Sequence, residues 1–194
     1  LSSEWDEYAG DWDSNEDVAQ YSDRASQSLN EIQSPDGLII LDFGCGTGRL
    51  TEKMAQTAKR VVGLDTSTEM LAVLKAKRLS NVDTIEDELT VELVEEHALL
   101  RAKFDLIVAS SVCGFLPDYE GALGLLKSLL VPGGIFVQWD WRAEEEGSGS
   151  GLTSDAILGA LNSVGFESAS VASPFSIANS ESVMSVLMGV GKNP

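Results

Sequence analysis

Leu41-Asp42-Phe43-Gly44-Cys45-Gly46-Thr47-Gly48 sets an acid and three glycines at alternate positions. An apolar run over 38–41 leads into this stretch, and a run of helical character over 49–59 leads out. The pattern is a buried strand, a glycine turn and a helix. Glycine lets the backbone approach a ligand closely and take φ values that other residues avoid. The start of the helix adds unpaired N–H groups and a partial positive charge. A phosphate loop would end in Gly-Lys-Ser or Gly-Lys-Thr, but Gly48 is followed by Arg49-Leu50. A dinucleotide fingerprint counted from Gly44 needs a glycine or alanine where Arg49 stands. What remains is Asp-x-Gly-x-Gly-x-Gly, with a purely structural tight turn as the plain alternative.

Composition narrows the classes. A chain of 194 residues, 43% hydrophobic and 23% charged, is long enough for one domain with a real core. No apolar run reaches the roughly 18 residues of a membrane span, and residues 1–30 lack a secretory pattern. Two cysteines, Cys45 and Cys113, are too few for a disulfide framework, so a reduced, cytoplasmic setting is expected. The single histidine, His97, sits in an acidic stretch away from either cysteine, so no metal site is expected. Lys and Arg total 13 against 31 acids, a net charge of −18, which disfavours a nucleic-acid partner. An acidic, well-solvated surface accounts for that charge.

The rest of the chain alternates strand and helix. The leader carries Trp5, Tyr8 and Trp12 among acids. Ser14 or Asn15 is placed to cap a helix over 17–32, with Val18, Tyr21, Ala25, Leu29 and Ile32 on one face. Residues 60–65 read as a second buried strand ending in Asp65, which falls 21 residues after Gly44. An acid there accepts hydrogen bonds from both ribose hydroxyls in Rossmann-like folds, or simply caps the next helix. A short strand over 81–86 leads to Asp87, Glu88 and Leu89, and 89–100 reads as an acid-rich helix. Phe104 to Ser111 forms a fourth strand, 120–130 a helix with one apolar face, and 131–134 a glycine turn ending it. A fifth strand over 135–141 ends in Trp139-Asp140-Trp141. Residues 142–151 read as a mobile acidic and Gly/Ser-rich loop. Thr153 or Ser154 opens a helix to Val164, and strands over 171–177 and 183–190 close the chain. This order predicts an α/β, three-layer α/β/α sandwich whose seven-stranded sheet is mostly parallel with one antiparallel strand.

Asp42 with its glycines, Asp65-Thr66-Ser67-Thr68-Glu69-Met70-Leu71, Phe104-Asp105-Leu106-Ile107-Val108 and Leu130-Val131-Pro132-Gly133-Gly134 occur in that order on successive strands. Together they resemble the class I, Rossmann-like, S-adenosylmethionine-dependent methyltransferases of small-molecule type, over about residues 36–190. The resemblance implies S-adenosyl-L-methionine as cofactor. It places Asp42, Gly44, Cys45 and Gly46 near the methionine end and Asp65 and Thr66 at the ribose. It places Met70, Asp87, Glu88 and Leu89 around the adenine, with Glu86 replacing Asp87 if the register slips, and Ser110 beside the sulfonium. Tyr21 and Arg24 are further candidates for the ligand carboxylate. The resemblance also makes residues 1–34 a helical lid or cap segment on a methyltransferase domain over 35–194.

Many relatives carry a histidine shortly after the fourth strand; this chain has Gly114-Phe115-Leu116-Pro117-Asp118-Tyr119. No catalytic residue is assigned, and Asp118, Tyr119 and Asp140 are the candidate bases. The expected acceptor is a small molecule offering O, N or S. A protein that binds the cofactor without turnover, and a nicotinamide-dependent oxidoreductase, are the other readings of these motifs. The sequence leaves the oligomeric state open.

Overall fold

The computed structural model describes residues 5–145, 151–178 and 183–194. Packing divides the chain into two compact units, Leu1–Glu88 and Leu89–Pro194.

The first unit runs α1 (Ala9–Trp12), α2 (Glu16–Ile32), β1 (Ile39–Phe43), α3 (Arg49–Met54), β2 (Arg60–Asp65), α4 (Thr68–Ala76) and β3 (Val82–Glu86). Asn15, rather than Ser14, caps α2: its side chain accepts from the N–H groups of Asp17 and Val18 at 2.9 and 3.4 Å. Tyr21, Ala25 and Leu29 are buried along the expected face, whereas Ile32 at its end is exposed. β1 pairs in parallel with β2, and β2 with β3. Ile40, Leu41, Val61, Val62 and Leu64 are almost wholly buried, which is why these strands read as continuous apolar runs rather than alternating ones. Each such side chain contributes roughly 1.5–3 kcal/mol of burial.

The helix leaving the glycine turn is shorter than the sequence suggested. It stops at Met54, and Gln56 and Thr57 turn back onto Lys53 and Met54. Ala58 is thereby buried, and the Lys59 N–H, just ahead of β2, donates to the Leu38 carbonyl just ahead of β1.

The second unit contains α5 (Val91–Glu96), β4 (Phe104–Ser110), a single 3-10 turn (Cys113–Phe115), α6 (Tyr119–Leu129), β5 (Leu130–Trp141), α7 (Ser154–Ser163), β6 (Glu167–Ala178) and β7 (Val183–Lys192). α5 covers only half of the expected helix. Thr90 caps its start, and His97 is already extended at its end. Glu92, Glu95 and Glu96 crowd like charges at helical spacing, which weakens propagation. Leu106, Ile107, Val108, Phe136, Val137, Trp139, Ile157, Leu161 and Val186 are fully buried.

The expected glycine turn over 131–134 takes another form. α6 ends at Leu129, and Leu130 is extended and already paired with Phe104. Pairing resumes at Leu106 with Ile135, so residues 131–134 make an excursion inside β5, with Gly133 at φ +79°. The Asn193 side chain holds the excursion by donating to the Leu130 and Val131 carbonyls at 3.3 and 3.0 Å. The ends of the 142–151 loop are tied by the Ala143 N–H on the Leu152 carbonyl and the Leu152 N–H on the Trp141 carbonyl. Its middle, 146–150, lies outside the described residues, as does 179–182, and the mobile-loop expectation with it.

The strands form one seven-stranded sheet in the order β3-β2-β1-β4-β5-β7-β6. β7 runs antiparallel to both β5 and β6, whereas β4 and β5 are parallel. One reversed strand in a mostly parallel α/β sheet is the expected topology.

Gly48 has φ +78°, and a Cβ built on it would overlap the Leu74 side chain from α4. Gly48→Ala is therefore expected to destabilise the protein by about 1–3 kcal/mol, read as a lower Tm, from overpacking together with the left-handed backbone.

Candidate functional site

β1 and β2 end side by side, and the turns that follow them are bonded to each other. Gly44 and Cys45 both donate to the Leu64 carbonyl, at 2.7 and 3.2 Å. The Asp65 carboxylate joins the two turns: Oδ2 accepts the Gly46 N–H at 2.7 Å, and Oδ1 accepts the Ser67 N–H at 2.9 Å. Gly44 and Gly46 have φ of +68° and +54°, as the loop conformation demands. A Cβ on Gly46 would meet only the Met70 Sδ, 4.0 Å away, so the inner face of the loop is open beside that methionine. Ser67 caps α4, accepting from the Met70 N–H at 3.1 Å.

The other expected residues divide into those near this centre and those apart from it. Thr66 is exposed next to Asp65, and Met70 is buried. Asp87 is exposed; its N–H donates to the Asp65 carbonyl at 3.2 Å, which brings the turn after β3 alongside. Its side chain accepts from the exposed Glu88 N–H. Glu86, the alternative to Asp87, instead accepts from the Thr68 hydroxyl at 2.5 Å. Leu89 and Ser110, both half-buried, belong to the second unit. Arg24 is exposed and Tyr21 buried on α2.

Asp42 lies beneath the turn rather than on its surface. It is 1% exposed and accepts the Thr51 hydroxyl at 2.5 Å. Burial pushes its carboxyl up to about 7; the Thr51 hydrogen bond opposes this and the Asp65 charge adds to it. Cys45 is likewise buried, and desolvation pushes its thiol up, so neither cysteine-loop position offers a ready nucleophile.

Three residues not anticipated from the sequence complete the cradle: Asp6, Asp13 and Thr47. Asp13 Oδ1 accepts the Thr47 hydroxyl at 2.6 Å, and the Arg49 guanidinium reaches both its carboxylate and its carbonyl. Lys77 Nζ lies 3.0 Å from Oδ2. Burial raises the Asp13 carboxyl, but Thr47, Lys77 and Arg49 outweigh it and hold the group below its ordinary value. Asp6 Oδ1 accepts the Ser67 hydroxyl at 2.5 Å and the Glu69 N–H at 3.3 Å. The leader is thus fastened by one carboxylate to each of the two turns. The Trp5, Tyr8 and Trp12 rings pack on one another with centroids 5.9–6.5 Å apart. The acidic leader was a signal in the sequence, but acids spread through the whole chain hid which ones mattered.

In the second unit the candidate bases are committed elsewhere. Asp118 is exposed and caps α6, accepting from the Gly121 N–H at 3.0 Å. Asp140 is 1% exposed; its Oδ1 accepts the Gly114 N–H at 3.0 Å and its Oδ2 the Gln138 Nε2 at 2.8 Å. Burial pushes its carboxyl up to about 7 against those bonds. Tyr119 donates its hydroxyl to Gln138 Oε1 at 2.5 Å, and burial raises its pKa. Among the described residues, no group of His, Cys, Asp and Glu is placed to hold a metal ion. No helix there is long and apolar enough to cross a membrane.

A sheet of this topology, with an acid-and-glycine turn after the first strand and an acid at the end of the second, defines a Rossmann-like methyltransferase fold. A family model described as a methyltransferase domain matches residues 41–136, and the chain belongs to the class I, S-adenosylmethionine-dependent methyltransferases. Among curated relatives, the ubiquinone biosynthesis O-methyltransferase of Salmonella newport is 37% identical over 99 residues, which are 50% of this chain and 40% of that protein. The chain therefore spans about two fifths of the length of the curated relatives it matches. Among solved structures, a chain of the complex between the Haloferax volcanii Trm112 methyltransferase activator and a methyltransferase superposes with a TM-score of 0.79 at 18% identity. That match covers 100% of this chain and 97% of the other. The DhpI-SAM-HEP complex gives 0.75 at 19% identity, covering 99% and 95%. Magnesium protoporphyrin IX methyltransferase from Synechocystis PCC 6803, with SAM bound, gives 0.66 at 18%, covering 90% and 80%.

Asp42 generates a pH prediction. Its value in the fold lies above the unfolded 3.8, so the protonated carboxyl favours the folded state fully below about pH 4. That contribution is lost as pH rises through about 7. Asp42→Asn is expected to lose less Tm than the unmodified chain between about pH 5 and about pH 8, by thermal melts at both.

Proposed function

We propose that this chain binds S-adenosylmethionine in the cradle of the first unit and transfers its methyl group to a small-molecule O, N or S acceptor. The observation that carries the reading is the Asp65 carboxylate. Two of its roughly four acceptor positions are used by the Gly46 and Ser67 N–H groups, leaving the others for adjacent ribose hydroxyls. Gly46 keeps open the space in which a methionine tail would lie, and the Met70 sulfur, 4.0 Å from a Cβ built on Gly46, borders it on the side assigned to the adenine. Exposed Thr66 and Asp87 stand on either side of Asp65, suited to ribose and adenine edges. Once bound, the cofactor supplies a methyl group already activated on a sulfonium. The chain's own task is to align the acceptor and exclude water.

The committed state of Asp118, Tyr119 and Asp140 bears on the acceptor. Among these residues none is both exposed and free of an internal hydrogen bond. Such a site suits an acceptor that arrives with its lone pair available, an amine, a thiolate or an acidic phenol, and needs no general base. The net charge of −18 suits a neutral or cationic acceptor over a polyanion. The leader serves as a lid: Asp6 and Asp13 fasten it to the two ligand-facing turns, and the aromatic trio gives it a rigid apolar body.

Calorimetric titration with S-adenosylmethionine, S-adenosylhomocysteine and NAD, each alone, tests the cofactor. The two sulfur ligands are expected to bind and NAD not to, and Asp65→Ala should weaken binding about 10–100-fold through loss of bonds to a charged acceptor. Binding of NAD alone would overturn the reading. The lid makes a separate demand: Trp12→Ala should weaken S-adenosylmethionine binding in the same titration, and an unchanged affinity removes the lid.

A further inference from the structure

The stretch after β4 is pinned to β5 at three successive points. The Ser111 N–H donates to the Trp139 carbonyl at 2.7 Å, with Ser111 held at φ +58°, where a non-glycine residue rarely sits. The Gly114 N–H donates to Asp140 Oδ1, the Gln138 amide donates to Asp140 Oδ2, and the Tyr119 hydroxyl donates to Gln138 Oε1. The three side chains form one chain of hydrogen bonds. Gln138 and Asp140 are sealed at 0% and 1% exposure, and only Tyr119 reaches towards solvent.

Among the described residues no Lys or Arg is paired with Asp140; the titratable groups that sense it are Cys113 and Tyr119, and the backbone at 112–114 bonds to it. A buried carboxylate with no cation is costly, and the cost is kept low only while its hydrogen bonds are made. Gly114 is the middle residue of the 3-10 turn, and Tyr119 is the first residue of α6. Losing either end of the chain of bonds therefore weakens the other. Ligands in open α/β sheets bind at the carboxyl ends of the strands, and residues 111–119 follow the carboxyl end of β4.

We propose that Asp140 is a positioning residue: through Gly114 on one side and the Gln138–Tyr119 relay on the other, it sets the backbone that faces the methyl acceptor. This rests on the methyltransferase reading. Asp140 is thereby distinguished from a base, because both its oxygens are occupied and neither meets solvent. The relay couples the start of α6 to the turn, so a change at Tyr119 is felt at Gly114 although the Tyr119 hydroxyl bonds to Gln138.

Amide hydrogen exchange at Gly114, followed by NMR on the whole chain, tests the coupling. Asp140→Leu removes both acceptor positions, and should speed Gly114 exchange by about tenfold or more. Asp140→Asn keeps an oxygen for Gly114 and should restore most of the protection. Tyr119→Phe, at the accessible end, keeps the test alive if the leucine variant does not fold; it should speed Gly114 exchange several-fold. Gly114 exchange unchanged in Tyr119→Phe would overturn the relay. S-adenosylhomocysteine binding, measured on the same samples, separates the two readings. The Tyr119 variant should bind it as the unmodified chain does, and weakening of threefold or more would overturn the acceptor-side assignment. Failure of the unmodified chain to bind it would sink the methyltransferase reading alone, leaving the exchange result to judge the relay.

Discussion

The bond from the Gly46 N–H to the Asp65 carboxylate is the contact on which the arrangement of the first unit's two turns depends. Parallel strands place the ends of β1 and β2 together, but they do not fix the two turns that follow. Asp65 does so by giving one oxygen to each turn. The remaining features build on it: Ser67 can then cap α4, Met70 can face the loop, and the leader's acids find ordered donors on both turns. Under the proposed function the same carboxylate would also take the ribose, and the number of acceptor positions on a carboxylate leaves room for both tasks.

Each unit carries a buried acid that no Lys or Arg among the described residues is paired with. Asp42 leans on Thr51, and Asp140 on Gly114 and Gln138. In both cases burial drives the carboxyl towards neutrality. The gain is geometric. A carboxylate directed at fixed donors orders short backbone segments that apolar packing alone would leave free to slide. The chain uses its surface acids differently: Asp83 meets Arg60 at the surface, where an ion pair contributes little on its own.

Much of the fold was legible because a two-sided parallel strand is a run that sequence can hardly disguise, as 39–43, 60–65 and 104–110 illustrate. Asp42, Gly46 and Asp65 were legible for a related reason: turn conformation and spacing restrict residue type there. The misreadings were of a different kind. Residues 131–134 look like a helix stop, and only long-range pairing of Leu130 with Phe104 and bonding to Asn193 turn them into an excursion of a strand. Asp6 and Asp13 were hidden because their partners lie 61 and 34 residues away, and local spacing says nothing about that. Asp140 could be seen as an acid at a strand end, but its sealing by Gln138 depends on burial of both faces of β5.

The Asn193 clasp has a consequence for how the chain is made. Val131 and the side chain that satisfies its carbonyl are 62 residues apart. The antiparallel partner of β5 is β7, which comes after α7 and β6 in the chain. During synthesis β5 therefore emerges with one long edge unpaired and its excursion unclasped, a state open to pairing with another nascent chain. Two glycines at 133 and 134 and a proline at 132 break the start of that edge, and such residues weaken strand pairing where they stand.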